Sequence, residues 1–158
     1  MKFEIGYEDD KIFLMSIDEY KFYKNRIPTL KTYWWLRSPG SDQYNAALVN
    51  FDGFVLYDGL YVYGVDNCIR PVIKLLRDSE YSSVDIGSKI TFHNHRFIII
   101  DFDDDYIYAI SISGLWYAHY DKDSNDYEDS YIRKWLNTWF YNDIDVDEVD
   151  SFLSITSL

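Results

Sequence analysis

Residues 101–131 carry the densest group of side chains with chemical potential. Carboxylates at Asp103, Asp104, Asp105, Asp121, Asp123, Asp126, Glu128 and Asp129 alternate there with tyrosines that include Tyr120 and Tyr127. A surface of this kind could imitate a phosphate backbone and compete for the basic groove of a nucleic-acid-binding protein. Asp121, Asp123 and Asn125 also supply oxygens at the first, third and fifth positions of a calcium loop. Asp126 stands where glycine is wanted and Ile132 where the bidentate glutamate should be, so the pattern is incomplete. His93 and His95 alternate and would share one face, the beginning of a metal site without an identifiable third ligand. Arg37 and Arg70 could clamp an anion with their planar forks of donors, but each falls in a segment that also fixes a turn, which favours an architectural role. Cys68 is the lone cysteine, with no hydrolase signature around it. No acid–base or nucleophile pair is visible, so an enzyme is not expected and no cofactor is implied.

These residues belong to a chain of 158 residues, enough for one domain with one core. The net charge of −12 is unevenly placed: residues 101–150 hold 14 acidic and only 3 basic side chains. That excess argues against direct contact with nucleic acid or an anionic membrane, and favours a basic partner or a solvated acidic face. A single cysteine forms no internal disulfide, which fits a reducing cytoplasm. The N-terminus has no signal-peptide pattern, and no apolar run is long enough to span a bilayer.

The elements that must position the chemistry can be read in order. Residues 11–15 form a short buried strand, and Ser16 with Glu19 makes a capping box for a helix to about Lys24. Tyr33–Arg37 is a strand running into Ser38-Pro39-Gly40. The segments 46–49, 54–57 and 60–63 are short strands, with hairpin turns expected at Asp52-Gly53 and Asp58-Gly59. Ile69–Leu76 is a further strand, placed at an edge or strand start by Pro71. Residues 77–83 are a surface loop. Residues 84–91, 96–102 and 106–113 are the next strands, the last two joined through Asp103-Asp104-Asp105. After the acidic loop 121–129, Ser130 caps a helix whose apolar face is Ile132, Trp135, Leu136, Trp139 and Phe140. Asp145–Glu148 would cap a last short helix with Val149, Phe152 and Leu153 on its buried side. Trp34, Trp35 and Trp135 are core candidates, while the less regular Trp116 could line a groove.

The segment Trp34-Trp35-Leu36-Arg37-Ser38-Pro39-Gly40, the stretch Ala46–Gly53 and the later Ile69-Arg70-Pro71-Val72 resemble a widespread bacterial family of domains of unknown function. That family is itself similar to the C-type-lectin-like domains of formylglycine-generating-type enzymes. Residues 96–101 and the helix Ser130–Tyr141 resemble the family's opening half. Asp10–Ser16 with Glu19 resembles the strand and helix that come next in the family. The family's order would thus be 84–158 and then 1–76. The resemblance implies a circular permutation within one domain, 1–158, with 77–83 as the joining loop. A chain that swaps halves between two copies is the rival arrangement. The copper-binding cysteine pair of the formylglycine-type enzymes is missing, so their activity is not implied.

The expected fold is therefore α+β, with a circularly permuted C-type-lectin-like core, a twisted antiparallel sheet and about three short helices. The expected function is non-enzymatic binding of a protein with a basic surface, in the cytoplasm (a host's, if phage-encoded). An anti-defence or anti-CRISPR inhibitor acting as a nucleic-acid mimic is one form of it, and the chain would be a monomer or a swapped dimer. The alternative is a lectin-like module that takes a sugar or peptide through the loops between Gly40 and Arg70, with Tyr44 and Tyr57 as contacts.

Overall fold

The computed structural model describes residues 3–144 together with Val149 and Leu153. The fold is α+β and mostly strand, with two five-stranded sheets and two α-helices among the described residues. The strands are β1 (Ile12–Phe13), β2 (Trp34–Pro39), β3 (Asn45–Val49), β4 (Val55–Tyr61), β5 (Cys68–Ile69), β6 (Val72–Leu76), β7 (Lys89–Phe92), β8 (His95–Phe102), β9 (Tyr106–Ser111) and β10 (Trp116–Tyr117). The helices are α1 (Ile17–Tyr23), prolonged by a 3₁₀ turn at Lys24–Arg26, and α2 (Tyr131–Asn142). The first sheet runs β1-β6-β9-β8-β7 and the second β10-β5-β2-β3-β4. All pairs are antiparallel except β2–β5, which is parallel. Each sheet draws strands from both sides of residues 77–83.

One antiparallel sheet is the expectation from sequence; two form because the stretch 69–76 is not one strand. It breaks at Arg70-Pro71, leaving β5 in the second sheet and β6 in the first. Proline has no N–H to give to a ladder, and the break lets the chain change sheets there. A second crossing, from β9 to β10, lies alongside. Ser111 N–H donates to Pro71 O (3.1 Å) and Leu115 N–H to Ile69 O (3.0 Å).

Adjacent tryptophans on a strand face opposite sides, and this pair uses both. Trp34 meets Tyr20 of α1 edge-on, with ring centres 5.4 Å apart. That side of the core adds Phe13, Tyr23, Leu36, Val49, Val72, Ile100 and Ile110. Trp35 faces Tyr120 at 5.5 Å, in a cluster with Leu48, Phe97, Ile99, Ala109 and the α2 residues Ile132, Trp135, Leu136 and Trp139. The two helices thus cover different apolar faces. Burying an aromatic side chain of this size contributes on the order of 2–3 kcal/mol.

Both helix starts are set by the side-chain chemistry of their caps. Ser16 Oγ accepts from Glu19 N–H (3.1 Å), and Glu19 Oε1 accepts from Ser16 N–H (2.9 Å). Ser130 Oγ accepts from Arg133 N–H (3.2 Å), and α2 ends at Asp143 in the left-handed region. The further helix expected after Asp145 lies largely outside the described residues. Only its Val149 and Leu153 are described, both helical and packed against the α2 side of the core.

The hairpin at Asp52-Gly53 forms, with Asn50 Oδ1 accepting from the N–H groups of Asp52 (2.9 Å) and Phe54 (3.0 Å). The second expected hairpin does not. Asp58-Gly59 lies inside β4 as a bulge, where the pairing with β3 shifts between Ala46 and Leu48. Gly59 has φ +80°, and a Cβ there would sit 2.3 Å from Ala46 O. Asp-Gly thus supplies the positive φ of a bulge rather than of a turn. Strand β7 is also shorter than the expected 84–91, because residues 85–88 form a turn closed by Ser88 N–H to Asp85 O (3.0 Å).

Candidate functional site

The acidic residues fall into two groups held on different sheets. Asp103, Asp104 and Asp105 close the β8–β9 hairpin of the first sheet. Asp103 Oδ1 accepts from the N–H groups of Asp105 (2.8 Å) and Tyr106 (2.7 Å), so this carboxylate shapes its own turn. Arg77 braces the turn by donating from Nη1 to Asp103 O (3.1 Å). Asp104 and Asp105 are exposed.

The loop 121–129 is seated on the second sheet. Asn125 anchors it: its N–H donates to Gln43 O (2.8 Å), and its side-chain amide to Asp42 O (2.8 Å) and Asn45 O (3.1 Å). At its start, the N–H groups of Tyr120 (2.7 Å) and Asp121 (3.1 Å) share Val62 O. Val62 N–H in turn donates to Tyr44 O (2.8 Å). Asp121 works internally, with one oxygen accepting from Asp123 and Ser124 N–H and the other from Tyr131 N–H at the start of α2. These bonds use up the calcium pattern. Asp121 is occupied by backbone donors, and Asn125 presents its amide nitrogen to carbonyls. Among the described residues no group of three or more His, Cys, Asp or Glu side chains is placed to hold a metal. Asp123, Asp126, Glu128 and Asp129 remain exposed.

Two of the expected contact residues are core residues instead. Tyr120 is fully buried and Tyr127 nearly so. Tyr120 O–H donates to Arg37 O (3.2 Å), and Tyr127 Oη accepts from Leu14 N–H (3.2 Å). Burial pushes both phenols well above their usual range. Their acidic neighbours in sequence suggest a surface, but each hydroxyl finds a backbone partner far along the chain, which satisfies it inside.

The tyrosines that do face solvent beside this loop are Tyr44, Tyr61 and Tyr63, at 45%, 58% and 55% exposure. Tyr61 and Tyr63 stack, with ring centres 5.2 Å apart and planes 10° from parallel. The signal that could have found them is the alternation Tyr61-Val62-Tyr63, whose middle residue is buried and whose flanking rings therefore point out. At the other end of the edge strand, Tyr57 of β4 and Phe54 just before it are exposed and lie under the ammonium groups of Lys21 and Lys24.

The motif arginines separate in role. Arg37 pairs with Glu19 (2.5 Å) and donates to Leu14 O (2.6 Å) and Gly6 O (3.0 Å), tying β1, α1 and the N-terminal segment to β2. Arg70 is fully buried, donating to the backbone carbonyls of Ser111 and Ile112 and lying against the Trp34 ring. His93 and His95 do share a face, but it is an aromatic one. Their rings lie 4.9 and 5.8 Å from Trp139, and His93 Nε2 bonds to Phe140 O (2.9 Å). Burial, with His93 alongside, lowers the His95 pKa. Trp116 packs 4.2 Å from Trp135, partly buried rather than lining an open groove. Cys68 is buried, and burial pushes its thiol up to about 11, far from an activated nucleophile.

No family model matches the chain, and no curated protein or solved structure matches it either. None of the described helices is long and apolar enough to cross a membrane.

Proposed function

We propose that the chain is a non-enzymatic binding protein. Its contact face combines the exposed rings of Tyr44, Tyr61 and Tyr63 with the carboxylates of Asp42, Asp123 and Asp126, and its partner is a protein with a basic surface. The observation that carries this reading is the anchoring of Asn125 on Gln43, Asp42 and Asn45, which puts the acidic loop against the tyrosine-bearing end of β3 and β4. Arginines of a partner can stack on tyrosine rings and pair with carboxylates in one contact, and such anchors dominate interface energies. An acidic face of this kind suits an inhibitor that displaces nucleic acid from a basic groove, of the anti-defence type found in mobile elements. A cytoplasmic setting agrees with the single reduced thiol.

The test is a titration of the labelled protein with an arginine-rich peptide, followed by NMR. Shifts should centre on Tyr44, Tyr61, Tyr63, Asp123 and Asp126. They should vanish in about 0.5 M salt and in an Asp123→Asn/Asp126→Asn variant, but survive in Asp104→Asn/Asp105→Asn. Equal shifts at both acidic groups would mean diffuse attraction and would sink the reading.

The same region supports a second reading. Phe51, Phe54 and Tyr57 are also exposed, between Gly40 and Arg70, where a lectin-like module would take a sugar or peptide. Hits on a glycan array that depend on Tyr57 and not on Asp123 would favour it. The permuted C-type-lectin-like core is likewise a proposal. It draws support from the way each sheet combines strands from 1–76 and 84–158.

A further inference from the structure

The charge on Arg70 has no neutralising partner among the described residues. Its side chain is fully buried, with Nε donating to Ser111 O (2.8 Å) and Nη2 to Ile112 O (3.1 Å). Nη1 has no protein acceptor among the described residues, and no carboxylate there lies within ion-pair reach of the guanidinium. Arg37 has Glu19 and Arg133 has Asp10, whereas Arg26 and Arg77, which also donate to carbonyls without an ion pair, are not buried as Arg70 is. An ionised group out of water without a counter-charge is costly, and desolvation draws its pKa down to about 10.

Arg70 lies on the floor of a cavity of about 170 Å³. Trp34 and Tyr20 complete the floor, while Lys24, Asn25 and Thr29 stand at the rim. No acidic residue is among the described residues that line this cavity, although the chain carries a net charge of −12. Lys24 is exposed and its ammonium lies 5.1 Å over Phe54, so it can swing toward an incoming group. The volume is below that of pockets for drug-sized ligands.

We propose that this cavity is a binding site for a small oxyanion, a carboxylate or phosphate carried by a ligand or free in solution. The free edge of the Arg70 guanidinium supplies the counter-charge and donors, and Lys24 closes over the anion. A planar oxyanion edge matches the donor fork, and a charge-assisted bond in a water-poor cavity is stronger than one at the surface. The site is separate from the acidic binding face, so each can fail without the other.

The experiment titrates the intact protein with inorganic phosphate and, separately, with acetate, at fixed ionic strength and neutral pH. It follows the Arg70 Nε–H resonance and the thermal midpoint. Saturable shifts are expected with at least one anion, and the anion that saturates identifies the group. Lys24→Glu reverses a charge at the exposed rim without touching the core, and should weaken binding about tenfold or more. Arg70→Lys keeps the charge but loses the fork, and should abolish saturation if it folds. Linear, non-saturating shifts with both anions, or saturation unaffected by Lys24→Glu, would overturn the proposal.

Discussion

Arg133 of α2 grips both carboxylate oxygens of Asp10, with Nε to Oδ2 and Nη2 to Oδ1 each at 2.9 Å. The pair joins residues 123 positions apart and clips the helix to the segment that leads into β1. Tyr7 lies beside it, its ring 4.9 Å from the guanidinium and 4.8 Å from Tyr127. Both partners are largely shielded, at 23% and 11% side-chain exposure. The carboxylate raises the Arg133 pKa, which keeps the guanidinium charged.

A two-pronged, partly shielded pair should be worth more than an open surface pair and less than a buried one. Asp10→Ala and Arg133→Ala are each expected to cost about 1–2 kcal/mol. The double variant should cost clearly less than their sum, because the second change removes a charge already left alone. Urea unfolding of all four proteins measures this, and strict additivity would show that the two side chains act independently.

Gly59 is the position in β4 where side chains are excluded twice over. Its φ of +80° disfavours any Cβ, and the added atom would meet Ala46 O at 2.3 Å. Gly59→Ala should destabilise by about 2 kcal/mol or more and loosen the pairing of β3 with β4. Hydrogen exchange at Leu60 and Tyr61 should rise with it. A variant with wild-type stability would mean that the bulge can be rebuilt at no cost.

Local signals are legible where one short range of sequence decides the outcome. Ser16 and Glu19 form their capping box because both partners lie within one turn. The α2 helix and its apolar face come from spacing alone, and Trp34 and Trp35 lie in the core as their strand pattern predicts. Long-range outcomes are hidden. Pro71 announces a strand boundary, but nothing in residues 69–76 says that the two halves join different sheets. Tyr120 and Tyr127 sit among carboxylates and go inside because Arg37 O and Leu14 N–H, remote in sequence, satisfy them. The lack of a counter-ion at Arg70 among the described residues is likewise a property of the assembled core.

If residues 77–83 join two termini of an ancestral order, the loop should tolerate a cut. Residues 78–80, 82 and 83 are exposed. Each sheet needs strands from both sides of the loop, so the pieces have extensive mutual contacts. A protease site placed between Ser79 and Glu80 should be cleaved while the two pieces still co-elute at the size of the intact chain. Separation of the pieces without denaturant would argue against a single-domain permutation. Co-elution at twice that size before cleavage would point to swapped halves.

Alkaline unfolding should come in two stages. Burial raises the phenols of Tyr23, Tyr108, Tyr120 and Tyr127, and for Tyr108 the value is pushed up to about 12. The Asp101 carboxylate that receives the Tyr23 hydroxyl adds to the effect at that residue. In the unfolded chain these groups ionise near pH 10. A folded pKa above the unfolded one favours the folded state while the phenol is protonated in both, so this stability is complete below about pH 10. It is lost as pH climbs from there toward 12, because only the unfolded chain can then release the protons. Tyrosinate absorbance should therefore be incomplete near pH 10. A later, cooperative rise should coincide with the loss of near-UV circular dichroism. Tyr23→Phe keeps the ring and removes the ionisable hydroxyl, and should make the dependence on pH above 10 shallower. One smooth titration of all 16 tyrosines with no accompanying loss of structure would contradict the burial of these four.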